Sequence, residues 1–203
     1  IFGIIGGAIM PIYDELGKSD KLRHITTVHE QGAAHAADAY ARVTGKPGVV
    51  FATSGPGASN LMTGIANAYM DSSPVIAFTG QVPTSLIGQD SFQEVDVRGM
   101  SDPITKHNYL VMDPEKIPST VREGFHLART GRQGPIVIDL PKDVQTGEMT
   151  WSDNGANLQE SEGYEVRNRF GETEITEMVD GLMSADRPVI LIGGGIAQAK
   201  TTG

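Results

Sequence analysis

Four short apolar runs, separated by helix-forming segments, constrain the fold of this chain more than any other feature. Each run is continuous and rich in β-branched residues, which is typical of strands buried on both faces of a parallel sheet. The runs are Val49–Thr53, Val75–Thr79, Ile136–Leu140 and Val189–Ile192. A further short strand is predicted at His24–Val28, and Ile1–Ile5 has the pattern of the end of another.

The segments between these runs have helical patterns. Glu30–Val43 is rich in alanine, Ala58–Met70 follows a Gly-Pro-Gly turn, and Glu115–Ala128 has apolar residues at helical spacing, as does the segment from Glu172. Alternating strands and helices predict an α/β fold, in which a parallel sheet has helices on both faces and right-handed crossovers.

The composition changes after Val144, where a polar stretch rich in Ser, Asp, Asn and Gly indicates a solvated linker. We therefore predict a domain over residues 1–145, a linker over 146–170, and the beginning of a second α/β domain over 171–203. The first residue is Ile1, and both ends interrupt a strand-and-glycine pattern, so we expect a piece of a longer protein.

Charge and composition exclude several function classes. The net charge of -9 opposes binding to nucleic acid. The absence of cysteine excludes disulfides and thiolate metal sites, and the scattered histidines form no metal-binding pattern. No apolar run approaches the roughly 20 residues that span a bilayer, and no secretory leader is recognisable. We expect a cytoplasmic protein that binds neither nucleic acid nor membrane and has no metal ligand in this chain.

Glu30 is the most informative candidate for chemistry. It is predicted to begin a helix directly after a short strand, where unpaired backbone amides favour a carboxylate and where open α/β sheets bind ligands. Small residues follow it, as would suit close approach of another backbone at a subunit interface. A simple helix cap, and alanines chosen only for helix propensity, are the alternatives.

Two loops that follow predicted strands have weaker signals. The turn Thr53–Asn60 is rich in glycine and can present backbone amides to a ligand. It has neither the lysine of a P-loop nor the glycine spacing of a dinucleotide site, so a purely structural turn is the alternative. The polar loop Thr79–Asp96 can line a site or be an ordinary surface loop.

Taken together, these segments resemble the pyrimidine-binding domain of thiamine-diphosphate enzymes, and most closely that of the acetolactate synthase (acetohydroxyacid synthase) catalytic subunits. The resemblance covers about residues 1–145, and Pro188–Ile196 resembles the start of the family's central domain. The matching stretches are Gly6–Asp14, His29–Ala33, Thr53–Ala58, Thr79–Thr84, Phe92–Glu94, Thr105–Asn108 and Gly134–Val144.

The resemblance implies roles for seven residues. Glu30 would bond a ring nitrogen of the cofactor's aminopyrimidine and promote loss of the thiazolium proton. Gln93 would lie near the reacting carbon, and Phe92 would form an apolar wall beside it. The remaining residues would lie against the cofactor; they are Gly6, Gly7, Pro56 and Asn60. The family usually has proline before the Gly-Gly pair, whereas this chain has Ile5.

The resemblance also implies a reaction. Two 2-keto acids, pyruvate with pyruvate or 2-ketobutyrate, would be condensed with decarboxylation into a 2-aceto-2-hydroxy acid for branched-chain amino-acid biosynthesis. Thiamine diphosphate, Mg²⁺ and FAD would be the cofactors, with the Mg²⁺ ligands and most FAD contacts outside this chain. A homodimer or higher homo-oligomer and a regulatory small subunit are the expected partners, and this piece alone would be inactive.

Other assignments stay open at this stage. Sulfoacetaldehyde acetyltransferase is the nearest rival, and pyruvate oxidase and related 2-keto acid or oxalyl-CoA decarboxylases share the glutamate but match the later loops less well. Glyoxylate carboligase has an apolar residue in place of Glu30. A non-catalytic α/β interaction module is the alternative outside enzymes. A Rossmann oxidoreductase, prompted by Gly193–Gly195, lacks a visible acidic ribose partner.

Overall fold

Six parallel strands form one sheet in the N-terminal part of the chain. The computed structural model describes residues 1–150 and 170–199 and divides into two units, Ile1–Glu162 and Gly163–Gly203. The strand order is β2-β1-β3-β4-β6-β5, and every pairing is parallel. The strands are β1 Phe2–Gly3, β2 Ile25–Thr26, β3 Gly48–Ala52, β4 Val75–Gln81, β5 His107–Leu110 and β6 Ile136–Pro141.

Helices connect these strands, as the sequence predicts. The helices of the first unit are α1 Met10–Gly17, α2 Glu30–Thr44, α3 Pro56–Met70, α4 Val97–Ser101, α5 Ile117–Arg129 and α6 Lys142–Gln145. Short 3₁₀ turns lie at Thr84–Leu86, Asp102–Ile104 and Pro114–Lys116. The α/β class with a parallel sheet and surrounding helices is therefore confirmed.

One layer of the core lies between the sheet and the helices α2 and α3. Small side chains bring the helices together: a Cβ added to Gly64 of α3 would lie 2.4 Å from the Cβ of Ala34. The alanines of α2 that contribute to this layer are Ala33, Ala34 and Ala37. Packing within the chain therefore accounts for half of the small-residue pattern, whereas Gly32 and Ala39 are exposed.

Aromatic and β-branched side chains fill the opposite layer of the core. The ring of Phe51 on β3 packs edge-on against Phe78 on β4 and against Tyr13 on α1. Helix α5 approaches the sheet closely, because a Cβ on Gly124 would lie 3.1 Å from the side chain of Ile138. Burial on both faces explains why β4 and β6 are mainly apolar in sequence, with Thr79, Gln81 and Asp139 as buried polar exceptions.

Two strand assignments differ from the sequence predictions. The strand β5 has the polar sequence His-Asn-Tyr-Leu and lies at the edge of the sheet, where burial does not impose an apolar pattern. The predicted strand Val189–Ile192 is wrong: these residues are exposed and unpaired. A strand needs a neighbour for its backbone hydrogen bonds, and the described residues of the second unit contain no strand.

The second unit contains the helices α7, Glu172–Ser184, and α8, Gly194–Gln198. Helix α7 is the helix predicted from Glu172, and the Glu174 carboxylate accepts a hydrogen bond from the Gly171 amide at 2.6 Å at its start. The predicted linker 146–170 lies mostly outside the described residues, so the domain boundaries stay predictions. Within residues 1–150 and 170–199, no helix is both long and apolar enough to cross a membrane.

Candidate functional site

The residues predicted to form a site follow the carboxyl ends of four neighbouring strands. Gly6 and Gly7 follow β1, Glu30 follows β2, Pro56 follows β3, and Gln93 lies in the loop after β4. All strands are parallel, so these ends share one edge of the sheet. The chain leaves β1 towards β2 and leaves β3 towards β4, in opposite directions, and such a switch point is where open α/β sheets bind ligands.

Glu30 is the first residue of α2, and its carboxylate faces the start of α3. Its Oε2 accepts a hydrogen bond from Nδ2 of Asn60 at 3.0 Å. The helix is capped by the preceding residue, since Nδ1 of His29 accepts from the backbone amide of Gln31 at 3.1 Å. Because His29 is the N-cap, Glu30 is not the capping residue of α2, and its half-buried carboxylate is directed to α3 instead.

Gly57, at the start of α3, lies close to the other oxygen of this carboxylate. A Cβ built on Gly57 would lie 3.5 Å from Oε1 of Glu30 and 2.8 Å from Cγ2 of Thr53. A side chain at position 57 would therefore collide with Thr53, and glycine allows the start of α3 to approach the Glu30 carboxylate.

Thr53 joins the first glycine turn to this arrangement. Its Oγ1 accepts from the backbone amide of Ala8 at 3.1 Å. A Cβ on Gly6 would lie 2.4 Å from Cβ of Thr53, whereas a Cβ on Gly7 would meet nothing within 4 Å. Thr53 was not selected as a site residue from the sequence, although a β-branched residue directly before a glycine turn was a usable signal.

Gln93 contacts the same turn through its backbone. It has a φ of 60°, which is unusual for a residue other than glycine, and Gly55 has a φ of 58°. A Cβ on Gly55 would lie 2.7 Å from the carbonyl oxygen of Gln93, so only glycine fits there without a shift. The side chains of Pro56 and Gln93 are exposed, and Phe92 is 87% exposed.

A carboxylate organises the loop that contains Phe92 and Gln93. Glu94 accepts hydrogen bonds from the backbone amide of Gly88 and, at 3.0 Å, from both the amide and the hydroxyl of Ser91. The amides of Gly88 and Ser91 hold the pKa of Glu94 below its ordinary value. The carboxylate therefore stays charged at neutral pH and keeps the loop closed on itself.

The structure thus brings most of the predicted residues into one group around the turn Thr53–Gly57. The side chains of Glu30 and Asn60 are hydrogen-bonded, Gly6 packs on Thr53, and the backbone of Gln93 packs on Gly55. Gly7 and Phe92 lie beside this group without a close packing role. In the described parts of the chain, no cluster of three or more His, Cys, Asp or Glu residues could hold a metal ion.

Comparison with known proteins gives a consistent picture. Residues 1–100 match the family described as the thiamine pyrophosphate enzyme, N-terminal TPP binding domain. A probable acetolactate synthase large subunit of Methanocaldococcus jannaschii is 54% identical over 197 residues, which is 97% of this chain and 33% of that protein. The chain spans about a third of the length of the curated relatives it matches.

Two further relatives have the same pattern. An acetolactate synthase of Mycobacterium bovis is 48% identical over 202 residues, covering 100% of this chain and 32% of the relative. An acetolactate synthase large subunit of Lactococcus lactis is 48% identical over 197 residues, covering 97% and 34%. The similarity therefore extends through the second unit as well as the first.

Proposed function

This chain belongs to the family of thiamine pyrophosphate enzymes, whose N-terminal TPP binding domain it contains, and we propose that the complete protein is an acetolactate synthase. It would condense two 2-keto acids, pyruvate with pyruvate or 2-ketobutyrate, with loss of carbon dioxide. The product would be a 2-aceto-2-hydroxy acid of branched-chain amino-acid biosynthesis.

The observation on which this proposal depends is the placement of the Glu30 carboxyl group. Asn60 donates to Oε2, and Oε1 lies beside Gly57, a residue without a side chain, at the edge of the sheet where the glycine turns meet. In our proposal that second oxygen holds the proton shared with a ring nitrogen of the cofactor's aminopyrimidine. Thiamine diphosphate, when bound, supplies a thiazolium carbon that becomes a nucleophile, and the protein supplies orientation and proton transfer.

The neighbouring residues would orient the cofactor and exclude water. Asn60 keeps the carboxyl group in one orientation, and Pro56 and the turn of Gly6 and Gly7 form the surface against which the ring lies. Because Gly6 packs on Thr53, this turn is fixed relative to β3 before any ligand binds. A preorganised surface of this kind lowers the entropic cost of reaching the reactive geometry.

Gln93 and Phe92 would serve the substrate. The amide of Gln93 can donate a hydrogen bond to the carbonyl or carboxylate oxygen of a 2-keto acid, and the ring of Phe92 can cover its short alkyl group. Both side chains are exposed at the same edge of the sheet as Glu30. A subunit partner or further chain would complete the enclosure, in line with a homodimer or higher homo-oligomer.

The remaining features follow from the resemblance to acetolactate synthases. Mg²⁺ would bind the cofactor's diphosphate through residues outside this chain, and FAD would contact mainly further parts of the central domain. A regulatory small subunit and a cytoplasmic location complete the proposal.

The test is product analysis on the full-length protein. With pyruvate, thiamine diphosphate, Mg²⁺ and FAD, we expect acetolactate as the main product. Glu30→Gln should lower kcat by about 10²- to 10⁴-fold, which is the usual contribution of general acid–base catalysis. The matched control is Glu15→Gln, which removes an exposed carboxylate on α1 and should leave kcat unchanged. Acetaldehyde or acetyl phosphate as the only product, or an active Glu30→Gln variant, would contradict the proposal.

A further inference from the structure

A carboxylate lies buried in the middle of the sheet, away from the Glu30 group. Asp139 on β6 is 2% exposed and is paired in register with Thr79 on β4. Its Oδ1 accepts from the hydroxyl of Thr79 at 2.6 Å, and its Oδ2 accepts from Nε2 of Gln81 at 2.9 Å. Burying a carboxyl group has a large desolvation cost, and an apolar residue would suit these strands without it. The contacts of Asp139 therefore need an explanation beyond packing.

Gln81, at the end of β4, connects Asp139 to the loop that follows the strand. Its Nε2 also donates to the carbonyl oxygen of Val95 at 3.0 Å, and its Oε1 accepts from the amide of Val82 at 2.9 Å. Only the amide oxygen can accept from a backbone N–H, so these contacts fix which way the side chain points. Gln81 thereby connects the buried acid to a backbone atom 14 residues further along the chain.

Val95 ends the segment that contains the proposed substrate residues. Gln93, two residues before it, has its backbone pressed against Gly55 and takes a φ of 60°. Glu94 fixes the start of the segment through Gly88 and Ser91. The carbonyl of Val95 is therefore the point at which the far end of this segment is attached to the sheet.

We propose that Asp139 and Gln81 are positioning residues, forming a bridge from the sheet to Val95 that sets where Gln93 stands relative to the turn at Gly55. The bridge acts through backbone atoms and touches neither cofactor nor substrate. Its consequence for catalysis rests on the proposed function, in which Gln93 meets the 2-keto acid. The effect of the bridge on the conformation of residues 91–97 does not depend on the proposed function.

The experiment uses the full-length protein and two readouts. Gln81→Met cuts the bridge at similar volume, and Asp139→Asn removes the charge but keeps the bridge, because the asparagine oxygen can accept from Gln81 while its NH₂ donates to Thr79. Gln89→Met is the matched control, since Gln89 is exposed in the same loop and donates to the Ser85 carbonyl instead. The readouts are the ratio of acetaldehyde to acetolactate formed from pyruvate and amide hydrogen exchange in residues 91–97.

We expect Gln81→Met to raise the ratio of acetaldehyde to acetolactate about fivefold, which corresponds to losing the one hydrogen bond that holds the Val95 carbonyl. Amide hydrogen exchange in residues 91–97 should become faster. The affinity for thiamine diphosphate should be unchanged, and Asp139→Asn and Gln89→Met should resemble the wild type. The ratio compares two products of the same site, so a partly unfolded sample does not change it. If Gln81→Met does not accumulate, Thr79→Val, which removes one hydrogen bond to Asp139, should change both readouts in the same direction to a smaller extent.

An unchanged ratio with unchanged exchange in Gln81→Met would overturn the proposal, and so would a lower total activity at the wild-type ratio. If the wild-type protein forms no acetolactate, the proposed function fails, and hydrogen exchange alone then decides whether the bridge exists.

Discussion

Substitution by alanine should have different effects on stability at the two adjacent glycines, Gly6 and Gly7. Gly6→Ala places a Cβ 2.4 Å from Cβ of Thr53, so the turn or β3 must shift, and we expect a loss of about 1–3 kcal/mol in the free energy of unfolding. Gly7→Ala meets nothing within 4 Å and should leave stability within about 0.5 kcal/mol of the wild type. Urea unfolding of the 203-residue chain measures both.

The same two variants also test the cofactor surface. If Gly7 lies against the cofactor, Gly7→Ala in the full-length protein should weaken thiamine diphosphate binding although the fold is intact. Isothermal titration calorimetry with Mg²⁺ present measures this. Unaltered binding in Gly7→Ala would remove position 7 from the proposed site, and equal stability of the two variants would contradict the packing of Gly6 on Thr53.

Asp139 predicts a pH dependence of stability. Burial raises the pKa of Asp139 to about 7, although the hydrogen bonds from Thr79 and Gln81 act in the opposite direction, and the charge of Asp96 adds to the increase. An acid whose pKa is higher in the folded state than in the unfolded state binds more protons when folded. Its stabilising contribution is therefore complete below about pH 4 and is lost as pH rises towards 7.

Asp139→Asn should remove this dependence. Between pH 4.5 and 8, the wild type should lose about 3 kcal/mol relative to Asp139→Asn, because most of the interval between the unfolded-state pKa of about 4 and the folded-state pKa of about 7 lies in this range, at about 1.4 kcal/mol per pH unit. Urea unfolding of the 203-residue chain at both pH values measures the difference. Parallel pH profiles for the two proteins would show that Asp139 titrates as an ordinary carboxyl group.

At the scale of helices, an ion pair and its hydrogen bonds connect α2 and α3. Asp38 is 4% exposed on α2 and accepts from both Nε and NH2 of Arg42 at 2.8 Å, and from Nδ2 of Asn67 on α3 at 2.8 Å. Burial acts to raise the pKa of Asp38, but the hydrogen bonds from Arg42, Ser73 and Asn67 outweigh it and hold the pKa below its ordinary value. The carboxylate therefore stabilises the fold at neutral pH.

Asp38→Ala should lower the free energy of unfolding by about 2 kcal/mol at pH 7, since a buried acceptor of hydrogen bonds from Arg42, Asn67 and Ser73 is lost while Arg42 stays partly solvated. A lowered pKa means that this stabilisation is present above about pH 4 and is lost as pH falls through the folded-state pKa, so the penalty should shrink progressively as the solution is made more acidic. Asp71→Ala is the control: it removes an exposed partner of the same Arg42 and should cost less than about 1 kcal/mol. Equal penalties for the two variants would contradict this set of contacts.

Which elements could be predicted from the sequence depended on burial. The strands β3, β4 and β6 are buried on both faces, and their mainly apolar, β-branched sequences predict them. The edge strand β5 is polar and was missed, whereas Val189–Ile192 is apolar but has no partner strand in the described part of its unit. An apolar run indicates burial, and the pairing that makes a strand depends on residues far away in sequence.

The site was predictable only in part for the same reason. Glu30 and the glycine turns stand at the ends of predicted strands, so topology alone placed them at one edge. The contact of Glu30 with Asn60, the packing of Gln93 on Gly55 and the bridge from Asp139 to Val95 join residues 30 to 60 positions apart or lie within loops without a periodic pattern. No local sequence signal reports such contacts.

For the whole molecule, the distribution of the core predicts which part folds by itself. Within residues 1–150 and 170–199, every buried apolar residue lies between Ile9 and Val144, and the apolar residues of α7 are exposed. Since burial of apolar surface is the main source of stability, the second unit should add little to the stability of the first.

We therefore expect a chain of residues 1–150 to unfold with a free energy within about 1 kcal/mol of the 203-residue chain, in one cooperative transition. Urea unfolding followed by far- and near-ultraviolet circular dichroism measures this, and a chain of residues 1–130 is the control, because it lacks the buried strand β6 between β4 and β5 and should not fold. A loss of several kcal/mol on removing residues 151–203 would contradict this expectation, because it would mean that the stability of the 203-residue chain does not reside in the core between Ile9 and Val144.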